Sequence, residues 1–427
     1  MRAPMKSDPL KNFFITLTLF AFVGLLVFAI GCAPTATKQK GPHIDAARQK
    51  AIQDSLQRVY QFELNKAWST GYEYYKNKTY RSAINPFWKV VQLDTIDRFK
   101  DKFSLLADAY IKLNNPDSAQ IVLEKGVIKY PQIAHLHRTL AYFYDGRGQV
   151  EDAIREYEAA TRIDANQAND WRSLGNLYVK NNQTSEAINA FEKVVKLDPK
   201  DQDSQRVLSK LYKSTGDSDA AIRGMEEVKK LDPKNVENLF SLGREYFSNG
   251  DYDNAIVNFE QLVQLKPEDT SALEYLGNGL QNKGNFNRAI NIYKEIMKLQ
   301  PNNKKILTDI ATSYKELGKY EIARAHARQA LQIDPKYGMA SIAIGEIYEA
   351  AAQNCYTARG KKAPEFDDKL VYDLAYQQYQ KGAEDLQFKD YALKRMSYVS
   401  DLRPTKEDLF FHKGQTKPKD PCYQWIY

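Results

Sequence analysis

Few side chains in this sequence are equipped for chemistry, and their spacing argues against most of it. His135 and His137 stand two apart. On a helix that spacing sends them to different sides, and neither a cysteine nor a carboxylate joins them to complete a metal set. Asp251 and Asp253, in NGDYDNA, lack the longer ligand ladder of a calcium loop and read as turn residues. The three cysteines, Cys32, Cys355 and Cys422, have neither zinc spacing nor a CxxCH haem site. A phosphate-cradling glycine loop and a nucleophile motif are also missing. The sequence therefore predicts no catalytic residue, no metal ligand and no cofactor, and the chain reads as non-enzymatic. Three kinds of chemistry remain: attachment at Cys32, a bond between the other two cysteines, and recognition of a partner.

Cys32 ends an uncharged run of nineteen residues, Phe13 to Gly31, preceded by Arg2, Lys6 and Lys11 against Asp8. As a helix such a run would reach about 28 Å, enough to span a bilayer. Ala29 and Gly31 nevertheless place small residues just before the cysteine, and APTATKQKGPH continues as a polar tether. The segment resembles the lipobox of bacterial lipoproteins, with Ala29 where leucine is commoner. The resemblance implies a signal peptide over 1–31, lipidation of Cys32, a flexible tether over 32–44 and an outer-membrane lipoprotein facing the periplasm. A single uncleaved inner-membrane anchor and surface exposure are the alternatives. Either anchor puts the bulk of the chain outside the cytoplasm, where an even pair of cysteines tends to bond, so Cys355 and Cys422 are expected to form a disulfide. Two separately buried thiols are the alternative.

The elements that carry these residues repeat. The stretch Trp171 to Pro199 holds Trp171, Leu174, Gly175, Tyr178, Ala187, Phe191, Val194 and Pro199. Sliding by 34 residues recovers a small residue at Ala107, Ala141, Gly175, Ser209, Gly243, Gly277, Ala311 and Gly345, with Gly71 preceding at an offset of 36. A tyrosine follows most of these by three, from Tyr74 to Tyr348, with Leu280 as the exception. Apolar residues three and four apart make one stripe per helix, and a lone helix pair cannot bury its stripes, so neighbours must stack. The pattern resembles the tetratricopeptide repeat (TPR) over about Asn65 to Glu384. It implies an all-α superhelical solenoid of about nine helix pairs over 65–384, with an N-terminal helix over 45–64, an insertion near 355–370 and a C-terminal cap and tail over 385–427. The tyrosine row is expected to be core. The formal charge of +7, or +5 without the four leader charges, is spread along the chain and is no nucleic-acid footprint.

The resemblance also implies that first helices line a groove through the second, fifth, ninth, twelfth and thirteenth positions of each unit. Those positions give a mixed surface with a basic middle: Arg138, Arg172, Arg206, Lys210, Lys213 and Arg244, with Asn176 and Asn278, and Tyr142, Phe240 and Phe247 nearby. Such a surface suits an extended peptide. Reversing Arg172 and Arg206 is expected to abolish capture without touching stability. Arg172 and Asn176 resemble the first two members of the chaperone-type carboxylate clamp, but Val207 and Glu237 occupy the places of its asparagine and lysine. The partner expected is a protein of the cell envelope, in support of a secretion or outer-membrane assembly. The alternative is an accessory protein for a glycan or a peptidoglycan enzyme, using Trp68, Tyr72 and Tyr75 as a sugar platform. The aromatic tail CYQWIY is expected to pack back onto the solenoid.

Overall fold

A computed structural model describes residues 46–427. The apolar leader, Cys32 and the tether lie outside the described residues. The chain divides into two compact units at Lys102 and Phe103.

In the first, α1 (Ala46–Lys76) pairs with α2 (Tyr80–Leu93). The N-terminal helix and the first repeat helix, read as meeting at Asn65, are one continuous helix of 31 residues. Its early part is exposed, and Leu64, Ala67 and Gly71 are the positions it buries. A Cβ on Gly71 would lie 2.9 Å from the Phe87 ring, so the helices approach closely because this residue is glycine. The unit closes on a buried ion pair, Lys102 Nζ to Asp94 Oδ2 at 2.9 Å, with the amides of Arg98 and Phe99 also donating to Asp94.

The second unit is a run of helix hairpins: α3 (Lys102–Lys112) and α4 (Pro116–Lys129), α5 (Ala134–Gly146) and α6 (Val150–Ile163), α7 (Ala168–Lys180) and α8 (Thr184–Leu197), α9 (Gln202–Ser214) and α10 (Ser218–Leu231), α11 (Val236–Ser248) and α12 (Tyr252–Leu265), α13 (Thr270–Asn282) and α14 (Phe286–Leu299), α15 (Lys304–Glu316) and α16 (Tyr320–Ile333), then α17 (Gly338–Ala358) and α18 (Phe366–Gly382). The described residues form no strand, and the all-α solenoid expected from the repeat is the fold of this unit. Each reversal between paired helices needs one residue in the left-handed region. Gly148, Gly216, Gly250, Gly284 and Gly318 supply it at 34-residue intervals, and Asn114 and Asn182 fill the same register. Asp201, Asp217, Asn235, Asp251, Asp269 and Asn303 then cap the helices that follow, each accepting from an amide three residues on.

Packing within a pair follows one rule sixteen residues long. Glycine at the small site admits a ring: Gly175 meets Phe191 and Gly243 meets Phe259, in each case 2.9 Å from where a Cβ would sit. Gly277 receives Tyr293 in the same way, and Gly345 receives Tyr379, displaced by the insertion. The tyrosine row is less uniform than expected. Tyr144, Tyr178 and Tyr348 are buried, Tyr110, Tyr212, Tyr246 and Tyr314 are half-buried, and in the first unit Tyr74 is exposed. Four of them have polar partners that the repeat pattern did not reveal. Tyr144, Tyr178, Tyr212 and Tyr246 donate to Glu124, Glu158, Glu192 and Glu226, each twenty residues back on the preceding second helix, at 3.1, 2.6, 2.5 and 2.9 Å. Burial, then the glutamate beside each, pushes Tyr144 and Tyr212 up to about 12 and holds Tyr178 and Tyr246 higher still.

Much of the predicted insertion is helix. It lengthens α17 to 21 residues and leaves 359–365 as the loop. Beyond α18 come α19 (Lys389–Ser400), α20 (Lys406–Phe411) and a 3-10 turn, Pro421–Ile426. Thr405 and Asp408 form a capping box on α20. The tail folds back: Cys355 and Cys422 are joined, with Cα atoms 6.3 Å apart. Tyr423 is buried and donates to Asp368, while Arg359 bridges Asp368 and Asp420 at 2.6 and 2.7 Å. Arg324, 8% exposed, donates to the carbonyl of Ile426 at 2.5 Å and lies 5.0 Å from the Trp425 ring centre. In the five preceding units that register holds Ile154, Ile188, Ile222, Ile256 and Ile290. One arginine has replaced an isoleucine, and the tail supplies the acceptors it requires.

Candidate partner-binding groove

First helices of neighbouring pairs touch, α11 with α13 and α15 with α17, and ion pairs link α5 to α7, α7 to the start of α9, and α9 to α11. The basic middle expected there separates into two groups. Arg138 on α5 forks onto Asp170 of α7 at 2.5 and 2.6 Å, and Asp170 is 2% exposed. Arg172 reaches Asp201 at the start of α9 at 2.5 Å, and Lys213 pairs with the buried Glu245 of α11. Burial opposes ionisation of Asp201 and Glu245, but hydrogen bonds, from Ser204 and Arg172 for Asp201 and from Lys213 and Ser218 for Glu245, hold both below the usual carboxylate range. These cations are structural, each answered by a carboxylate about one repeat downstream. That overturns the expectation that reversing Arg172 leaves stability untouched, because the substitution Arg172→Glu would set a second carboxylate against Asp201.

The second group is loosely held. Arg206 and Lys210 share one carboxylate, Glu237, each at 3.4 Å, and Glu237 is 58% exposed; Arg206 also pairs with Asp203 on its own helix. Arg244 makes no ion pair among the described residues and lies 5.9 Å from the centre of the Phe240 ring. Exposed pairs of this kind contribute little, so these guanidinium and ammonium groups can change partners at small cost. Between them opens a cavity of about 190 Å³, lined mainly by carbon, reaching Ser209 and Met225.

The aromatic and amide residues divide in the same way. Phe240 and Phe247 pack edge-on against Tyr275, with centroids 5.8 and 5.4 Å away. Asn278 accepts from the Tyr293 hydroxyl at 2.7 Å. Tyr142 and Asn176 stand exposed on the first helices α5 and α7, Tyr142 at 69%. In the first unit Trp68 stacks on Phe99, with ring centres 4.3 Å apart, and lies 6.1 Å from the ring of Tyr72, which is exposed.

The histidines stay apart. His135 is exposed, whereas His137 is buried, with Nδ1 2.6 Å from Glu156 and Nε2 3.2 Å from the Pro131 carbonyl. Asp251 caps α12 and Asp253 pairs with Lys283. Among the described residues no group of three or more metal-ligating side chains assembles, and no helix is long and apolar enough to cross a membrane. Sequence reasoning missed the inter-unit ion pairs and the tyrosine–glutamate bonds. Their signal is present at fixed offsets, an acid 29 to 32 residues after each structural cation and a glutamate 20 before each tyrosine.

Three family models match along the chain: a tetratricopeptide repeat model over 104–168, the TPR domain of cytochrome c-type biogenesis protein H over 161–273, and anaphase-promoting complex (cyclosome) subunit 3 over 248–330. An uncharacterized protein of Haemophilus influenzae is 36% identical over 70 residues, 16% of this chain, and the match spans 39% of that relative's length. Among solved structures, a MamA protein is 23% identical with 40% of this chain and 92% of that one covered, TM-score 0.36. The C-terminal part of a TPR repeat-containing protein from Cytophaga hutchinsonii is 20% identical, covering 56% and 98%, TM-score 0.39. With a 34-residue register repeated from Ala107 to Gly345, hairpins stacked in that register and repeat models tiling 104–330, the chain is a tetratricopeptide-repeat protein.

Proposed function

We propose that this protein is a non-enzymatic scaffold of the bacterial envelope, anchored through a lipid on Cys32, that holds a protein partner in its groove and supports assembly of a secretion or outer-membrane complex. The observation that carries the reading is the loosely held cation group, Arg206, Lys210 and Arg244, beside an open, carbon-lined cavity on the face made by first helices. A fold that only needed to stack would have tied these charges to buried acids, as it does at Arg138 and Lys213. Tyr142 adds an exposed aromatic face of the kind enriched where proteins meet. The anchor half of the proposal rests on the apolar run and small residues before Cys32.

Photo-crosslinking in intact cells tests the groove. A crosslinking amino acid at Tyr142 or Lys210 should trap a discrete envelope protein, and one at exposed Ile128 should not. Equal trapping from all three positions, or from Ile128 alone, refutes the groove. Intact mass of the membrane-extracted protein tests the anchor, since a chain that retains residues 1–31 without acyl groups overturns it.

A further inference from the structure

The cavity beside Arg206 has a cause in the sequence. At the register sixteen residues after the small site, Phe191, Phe259 and Tyr293 place rings against the small-site glycine, and Tyr157 is a buried ring in the same column. In the unit made by α9 and α10 that position is Met225 and the small site is Ser209. A thioether chain is thinner than a ring, and Ser209 bonds back to the Gln205 carbonyl at 2.8 Å instead of making room for one. The wedge therefore stays open toward the groove. Leu123 and Ala327 also lack a ring, but Leu123 is itself fully buried and Ala327 belongs to the apolar cluster of Ile342, Ile347 and Tyr348.

We infer that this opening is an anchor pocket for one bulky apolar side chain of an extended acidic segment, with the segment's carboxylates held by Arg206, Lys210 and Arg244. The inference rests on the groove reading above and names the partner's chemistry. The size fits: an apolar cavity of about 150 Å³ takes a benzene molecule, so about 190 Å³ admits a leucine, methionine or phenylalanine side chain. The charge fits as well. Glu237 serves two cations from 3.4 Å while largely exposed, and Asp203, the other partner of Arg206, is exposed too, so a peptide carboxylate arriving bidentately on Arg206 displaces solvent-exposed pairs of small worth. Lys213 also borders the cavity but is paired with the buried Glu245.

The test uses the full chain in detergent and fluorescence anisotropy with labelled twelve-residue peptides of Asp, Glu, Gly and Ser. One series carries a single central leucine, a second has glycine there, and a third replaces the acids by lysine. Leucine should bind roughly tenfold to a hundredfold more tightly than glycine, the lysine series should not bind, and added salt should weaken the leucine peptide. The double substitution Ser209→Gly, Met225→Phe copies the neighbouring units, so it should fold with an unchanged melting curve and bind the leucine peptide no better than the glycine one. Arg206→Gln with Arg244→Gln should weaken both acidic peptides alike. Equal binding of leucine and glycine peptides, unchanged binding by the filled pocket, or no acidic peptide bound below about 1 mM overturns the proposal. If Tyr142 still traps its partner in cells when the pocket is filled, the groove reading stands and the anchor pocket alone falls.

Discussion

Replacing Arg138 by methionine should loosen one joint of the solenoid and leave the rest firm. Methionine keeps the hydrocarbon packing of the arginine stem but removes the fork that holds Asp170. Removing one partner of a buried ion pair typically costs about 3–5 kcal/mol. Two features lower that figure. The Arg138 side chain is 30% exposed, so water can reach the carboxylate once the fork is gone, and Asp170 sits in the first turn of α7, where free amides favour a negative charge. We expect a loss of about 2–3 kcal/mol, or about a 30- to 150-fold rise in the local opening constant. A single melting temperature would blur this, because stacked repeats need not unfold as one unit. Amide hydrogen exchange resolves it: protection should fall in α5 and α7 and hold in α13 to α18. Adding Asp170→Asn to Arg138→Met should return most of the loss by removing the stranded charge. A change below about 0.5 kcal/mol in both helices would show that Arg138 is surface decoration.

The other predictions are local too. Replacing Cys355 and Cys422 by serine should remove up to about 4 kcal/mol, from a closure spanning 67 residues, and raise exchange over 366–427 only; unchanged exchange there would refute the bridge as the tail's fastener. Asp408 is held down to about 2, first by the Lys369 ammonium 2.7 Å away and then by the Thr405 amide and hydroxyl. A depressed carboxylate contributes its stability above its unfolded pKa, so docking of α20 should be intact above about pH 4 and lost as pH falls through about 2; NMR of the Thr405 and Asp408 amides should follow that curve, and loss beginning above pH 5 would contradict it. Lys78 has φ of 59°, where a side chain is strained, so Lys78→Gly should gain about 0.5 kcal/mol in urea unfolding after the entropy lost to glycine; a destabilised hairpin would count against that account.

The hairpins were legible because stacking forces a period: Gly175 with Phe191 and Gly250 at its turn mean the same thing in every unit that carries them. The positions expected to line a groove came from the same register. The state of its charges was not legible, because one sequence position cannot say whether Arg172 meets solvent or the Asp201 carboxylate of the next unit. Nor was the cavity, which arises where the period is broken. Ser209 and Met225 look like ordinary members of small and apolar columns until the rings beside them are placed. Near the C-terminus the period stops, and with it the inference. The eight further residues of α17 could have been loop, and only packing made them helix.

Arg324 sets a direction in which the array can change length. Inserting or deleting a 34-residue block at Pro199 or Pro233 would set isoleucine against its usual neighbours, and the copied joint would resemble the original. A block inserted between Ile333 and Gly338 would carry the tail away from α16. The guanidinium would then lie in a site that elsewhere holds a hydrocarbon, with the carbonyls of Trp425 and Ile426 one repeat too far to reach. Duplications upstream are tolerable, and those at the last joint are penalised by a single stranded charge. The contact thus marks one joint of the array chemically, and the number of repeats can drift only upstream of it.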